Sequence, residues 1–144
     1  MIEYSTSIDI EAPPEVVFDH LVKPEQMTAW MGQHAVLDPV PGGEFAVDIN
    51  GYLIRGEYLV VEPPRRVVVS WGMEGAADLP PGHSRVEFTL TPTGQGTRLH
   101  LLHTGLPESR AKNHAAGWGN YMGRLQLVAT GRDAGRDGFR PSIT

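Results

Sequence analysis

The chain has 144 residues, 40% hydrophobic and 20% charged, which fits one domain burying about 68 to 70% of its unfolded surface. A net charge of −5 with only 12 basic residues excludes a general nucleic-acid surface, which needs Lys and Arg to displace counterions from phosphates. The absence of cysteine excludes disulfides and thiol chemistry, and with no apolar run near the ~18 residues of a membrane span no membrane insertion is expected.

The opening residues MIEYSTSIDI show no basic region ahead of an apolar one, so no secretory leader is expected and the cytoplasm is the expected compartment. Ile2, Tyr4, Thr6, Ile8 and Ile10 alternate with polar residues, the period-two pattern of a half-buried strand. Pro13-Pro14-Glu15 then opens a helix with Val17, Phe18 and Leu21 on its apolar side. Pro24-Glu25 starts a second short helix carrying Met27, Trp30 and Met31, and Gly32 ends it.

Strands follow near residues 33–38, 44–50, 52–62, 66–73, 84–91 and 97–103, punctuated by Gly and Pro in the manner of an antiparallel meander. Asn50-Gly51 is the strongest hairpin signal among them. Alternation places Phe45, Val47 and Ile49; Val67, Val69 and Trp71; Val86, Phe88 and Leu90; and Leu99, Leu101 and His103 on one buried face. Glu44, Asp48, Arg66, Ser70, Arg85, Glu87, Arg98 and His100 are expected to face solvent. The stretch from Glu74 to Gly82 reads as a loose, mobile loop suited to a cavity mouth.

A long amphipathic helix is expected from Ala111 to Thr130. Ala111, Ala115, Trp118, Met122, Leu125 and Ala129 form its inward stripe, flanked by His114, Tyr121 and Val128, with Asn113 and Asn120 pointing away. An imidazole and a phenol beside such a stripe each need a hydrogen-bond partner once buried, which a ligand or water can supply. Gly117, Gly119 and Gly123 cost about 1 kcal/mol each relative to Ala, implying either close backbone packing or clearance for a bound molecule. Residues 131–144, GRDAGRDGFRPSIT, read as a disordered or loosely docked tail, leaving residues 1–130 as a single domain. A strand, two short helices, a meander and a long helix make the class α+β.

The six histidines do not suggest a metal site: His100 and His103 leave opposite strand faces, and no HExxH or thiolate ligand is present. Phosphate-binding and hydrolase motifs are missing too, and no cofactor is called for. His103, His114 and Tyr121, together with Trp30 and Trp118, are instead grouped as a partly polar, aromatic-rich pocket.

The segments SIDIEAPPEVVFDHLVKPEQMTAWM, PGGEFAVDINGYLIRGEYLVVEPPRRVVVSWG, GTRLHLLHTGLP and HAAGWGNYMGRL resemble, in order, the START-like (SRPBCC) superfamily. The nearest branch is that of homologues of the C-terminal domain of the heat-shock protein 90 ATPase activator. The resemblance runs from about Met1 to Thr130 and rests on positions such as Pro13, Trp30, Gly42, Gly43, Gly56, Trp71, His103, Gly117 and Trp118. It implies a helix-grip fold, in which a curved antiparallel sheet wraps a long C-terminal helix around a deep hydrophobic cavity. It also implies ligands such as lipids, sterols, flavonoids or polyketides, and in some relatives cyclase or aromatase activity. Met122, Gly123 and Arg124 depart from the Leu-rich family pattern, and Met adapts to irregular cavities. The activator's separate N-terminal domain has no counterpart here, which weighs against a co-chaperone role.

The leading expectation is therefore binding of a small hydrophobic or aromatic molecule by Trp30, Phe45, Val47, Val69, Trp71, Phe88, Leu101, His103, His114, Trp118, Tyr121 and Met122. Two alternatives stay open: an enzyme using His103, His114 or Tyr121 as acid or base, and a partner-binding module, a homodimer included, that uses a sheet edge or the outward Leu127.

Overall fold

A computed structural model describes residues 2–138. The elements in chain order are β1 (Ile2–Ile10), α1 (Pro14–Val22), α2 (Pro24–Trp30), β2 (His34–Leu37), β3 (Glu44–Ile49), β4 (Tyr52–Glu62), β5 (Arg66–Met73), β6 (Ser84–Thr93), β7 (Gly96–Leu106) and α3 (Glu108–Ala129). All strands pair antiparallel in one sheet ordered β1-β7-β6-β5-β4-β3-β2, a meander closed at one side by the N-terminal strand. The expected α+β architecture and its long closing helix are both present.

Local chemistry sets the boundaries. Asn50 and Gly51 both take positive φ, 49° and 92°, as a two-residue hairpin between twisted strands requires. Gly32 ends α2 at φ 83°, and a Cβ there would stand 2.8 Å from the Asp48 carbonyl oxygen. Pro107 caps α3 with Glu108 in its first turn, so the helix begins three residues before Ala111, and β7 runs on to Leu106.

The core lies between the inner sheet face and the three helices. Val67, Val69, Val86, Phe88, Leu99 and Leu101 pack there with Trp118, Met122, Leu125 and Ala129 of α3 and with Val17, Phe18, Leu21, Met27 and Trp30 of the short helices. The Trp30 indole donates to the His20 carbonyl at 2.9 Å, tying α2 to α1. In β4 a register shift between Tyr58 and Val60 changes which residues face inward: Ile54 and Tyr58 are buried before it, and Val61 pairs with Val67 after it.

Two expectations are corrected. Ser70 is buried rather than solvent-facing, because its hydroxyl accepts the Glu57 backbone N–H at 2.9 Å where Gly56 lets β4 and β5 approach closely. The segment from Glu74 to Gly82 is anchored rather than loose. Leu79 is fully buried, Met73 N–H donates to its carbonyl at 2.8 Å, and Gly82 N–H donates to Arg55 at 3.1 Å. The tail is docked as far as it is described: Arg124 donates to the Ala134 and Gly135 carbonyls and to that of Trp30. Residues 139–144 of the expected tail lie outside the described residues.

Gly119 and Gly123 are exposed, and a Cβ at either would meet nothing within 4 Å among the described residues. Neither close packing nor ligand clearance accounts for them. Gly119→Ala is therefore expected to raise stability by about 1 kcal/mol in urea unfolding. Gly72→Ala, whose Cβ would run into the Pro80 carbonyl, is expected to lower it by about 2 kcal/mol or more in the same measurement.

Candidate functional site

Strand register brings the polar part of the site together. His103 on β7 faces Val86 on β6, and Ser84 lies two residues from Val86 on the same inward face, diagonal to His103. Ser84 itself pairs with Trp71 on β5. From the other side, α3 delivers His114 and Trp118 one helical turn apart.

The hydrogen bonds define both imidazoles. The Trp118 indole N–H donates to His103 Nδ1 at 3.0 Å, so Nδ1 carries no proton and Nε2 does. His103 Nε2 then donates to Ser84 Oγ at 2.8 Å, and the Ser84 hydroxyl donates to the Trp71 carbonyl at 2.7 Å. The Trp71 indole N–H donates to His114 Nε2 at 3.1 Å, which leaves His114 Nδ1 to donate to the Arg110 carbonyl at 3.0 Å. Both rings are neutral, in opposite tautomers, with no nitrogen to spare. Burial, reinforced by the nearby His114, pushes His103 down to about 3. Burial likewise lowers His114. The rings also stack: Trp71 and Trp118 lie 5.1 Å apart, and His103 and His114 meet edge-on at 5.3 Å.

A cavity of about 450 Å³ opens beside this cluster. Its apolar wall comprises Met31, Ile49, Ile54, Trp71, Met73 and Trp118, and its helix wall His114, Gly117 and Tyr121. Asn50, Tyr52, Asp78, Ser109, Arg110 and Asn113 add polar groups. Arg110 grips Asp78 with Nε and Nη2 at 2.8 and 2.9 Å, and the Ser109 hydroxyl donates to the same carboxylate at 2.7 Å. Those donors, Arg110 first, hold the Asp78 carboxyl well below the usual carboxylate range. The Tyr121 hydroxyl donates to Asp137 at 2.7 Å, and burial followed by that carboxylate pushes the phenol up.

Of the twelve expected ligand-binding residues, Trp71, His114, Trp118 and Tyr121 line this cavity. Trp30, Phe45, Val47, Val69, Phe88, Leu101, His103 and Met122 do not; all eight are buried in the protein interior. The open space therefore sits toward the start of α3 rather than deep in the grip. Asn113, expected to point away, lines it, because the cavity-facing residues Arg110, His114, Gly117 and Tyr121 lie about a quarter turn around the helix from the Trp118–Met122–Leu125 row. Ala111 and Ala115 are only half-buried, as is Asn120. As acid–base candidates, His103 is fully buried behind the indoles, His114 has both nitrogens engaged, and the Tyr121 hydroxyl is held by the tail. Sequence reading missed Ser84, first of the i, i+2 series it shares with Val86 and Phe88, and the Asp78–Arg110 pair, which joins residues 32 positions apart.

The sequence matches the family described as Activator of Hsp90 ATPase homolog 1-like protein over residues 11–130. The chain belongs to this family, within the START-like (SRPBCC) superfamily. Among solved structures, an AHSA1-like protein of Rhizobium etli is 39% identical, with 99% of this chain and 91% of that one covered at a TM-score of 0.77. CalU16 of Micromonospora echinospora is 29% identical, with 90% and 76% covered and a TM-score of 0.74. An HSP90 activator of Plasmodium falciparum shares the fold at 23% identity, with 90% and 97% covered and a TM-score of 0.73. No curated protein sequence matches the chain. Among the described residues no helix is long and apolar enough to cross a membrane, and no three acidic or imidazole side chains are grouped to hold a metal ion.

Neutral buried histidines make this AHSA1-family chain acid-sensitive. An imidazole takes up its proton at about 6.5 when unfolded but only at about 3 at His103 in the fold, so stability is complete above about pH 6.5 and declines as pH falls toward 3. From His103 alone the loss by pH 5 is about 2 kcal/mol, and His114 adds to it in the same direction. Urea unfolding at pH 7.5 and pH 5 measures this, and His103→Gln is expected to flatten the dependence.

Proposed function

We propose that this protein binds a small, largely apolar and aromatic molecule in the cavity between the first half of α3 and the β3–β5 end of the sheet. The observation that carries the reading is an open cavity of about 450 Å³ whose inner wall is two indoles, two methionines and two isoleucines. That volume falls in the ~300 to 1,000 Å³ range of ligand pockets, and such a lining is their usual composition. Family membership supports a START-like ligand-binding role. The paired nitrogens of His103 and His114 favour holding a ligand over turning one over: to move a proton, either ring would first have to break a bond to an indole, to the Ser84 hydroxyl or to a backbone carbonyl.

Thermal unfolding against a panel of lipids, polyphenols and polyaromatic compounds tests the proposal. A ligand at 100 times its dissociation constant is expected to stabilise the protein by about 2.7 kcal/mol, raising Tm on the order of 5 to 11 °C. The same ligand is expected to quench Trp71 and Trp118 fluorescence. No shift across the panel, with no small molecule retained in native mass spectrometry of the purified protein, would overturn it.

A further inference from the structure

We infer, on the basis of the binding function proposed above, that the ligand is uncharged and carries a hydrogen-bond acceptor at its outer end, read by Asn113 and the free Nη1 edge of Arg110. Every side-chain nitrogen on the deep wall is already matched: Trp71 donates to His114, Trp118 to His103, and His114 to the Arg110 carbonyl. That wall offers ring faces, thioethers and methyl groups, so a polar group pushed against it would lose its water without replacement. The polar end of a ligand must therefore stay away from the indoles.

On the rest of the lining three groups remain available, and one of them is the Tyr52 hydroxyl, which has no hydrogen-bond partner among the described residues. The Asn113 carboxamide has no hydrogen-bond partner among the described residues, and Arg110 Nη1 has none either, since Asp78 takes only Nε and Nη2. The two side chains lie three residues apart on one helix, neighbours on the same surface. Arg110 Nη1 can only donate, and Asn113 Nδ2 and the Tyr52 hydroxyl can donate beside it, an excess of donors that favours an acceptor such as a ketone, amide or ether oxygen. Charge narrows the class further. The guanidinium is already neutralised by a bidentate carboxylate, and no other charged side chain lines the cavity. A carboxylate on the ligand would be desolvated beside Asp78 with no unspent positive charge to meet it.

Three probes that share one ring system separate these terms: 4-acetylbiphenyl, 4-ethylbiphenyl and biphenyl-4-carboxylate, titrated while the indole N–H NMR signals of Trp71 and Trp118 are followed. Wild type is expected to bind the ketone about tenfold more tightly than the hydrocarbon, and the carboxylate least. Asn113→Leu, which keeps the volume and removes the donor, is expected to erase most of the ketone's advantage, with the hydrocarbon bound at least as tightly as by wild type. Asp78→Asn frees the guanidinium and is expected to move the carboxylate from last to first. Equal wild-type affinities for ketone and hydrocarbon, or an undiminished ketone preference in Asn113→Leu, would overturn the inference while the cavity-binding function stands. Should Asp78→Asn fail to fold, the wild-type ranking and Asn113→Leu decide the matter alone. Failure of all three probes to shift either indole signal would overturn this inference, and only together with a silent ligand panel and an empty native mass spectrum would it overturn the binding function as well.

Discussion

The structure depends on a run of hydrogen bonds in which two tryptophans donate to two histidines. Trp118 donates to His103, which donates to Ser84, which donates to the Trp71 carbonyl; Trp71 donates in turn to His114, which donates to the Arg110 carbonyl. Each link contributes only about 1 kcal/mol net, whereas an unmatched member in this buried setting would cost about 1 to 3 kcal/mol. The run joins α3 to β5, β6 and β7, and so fixes the helix that forms one wall of the cavity against the strands that form the other. It works only with both rings neutral, because a second proton on either would set N–H against N–H. The desolvation that lowers both imidazoles thus keeps the arrangement in register.

That polar seam divides the helix–sheet space into two regions. On one side, Met122 and Leu125 of α3 belong with Phe88, Leu99 and Leu101 to the buried core. On the other, Gly117 and Tyr121 face Ile49, Ile54 and Met73 across open space. The Trp71 and Trp118 rings stand at the boundary and serve both regions, packing against Phe45 and Phe88 and lining the cavity as well. The mouth is framed by the Asp78–Arg110 grip, which pins the loop after β5 to the first turn of α3.

The fold was legible because its signals are periodic and local. Alternation in β1, β3, β5, β6 and β7 placed most of the inward residues, though not Ser84 or Met73, Asn50-Gly51 marked a hairpin, and the 3.6-residue stripe of α3 identified Trp118, Met122, Leu125 and Ala129 as core. The site was only half legible, for reasons that are also physical. A hydrophobic stripe shows where a helix meets apolar surroundings but not whether those are side chains or empty space, so Phe88, Leu101 and Met122 read as cavity wall when they are filler. The bulge in β4 changes the alternation within a single strand, which hid Ile54. Asp78 and Arg110 carry no local pattern at all; only the folded path of the loop brings them together.

The hydrogen-bond pairing also determines where selectivity resides. A wall whose donors are all consumed by the protein discriminates among guests by shape, and it does so weakly, since one methylene in an apolar pocket is worth only about 1 to 3 kcal/mol. Stronger discrimination requires polar groups that lose solvent and must be matched, and unmatched ones in this cavity include Asn113 and Arg110 Nη1 on the first turns of α3 and the Tyr52 hydroxyl on β4. Under the proposed binding function, ligand preference would follow from the residues at these positions and at Asp78, none of which belongs to the tryptophan–histidine seam except through the Arg110 backbone carbonyl. Substitution in the seam acts on the joint between helix and sheet, whereas substitution in the polar lining acts on what the cavity presents.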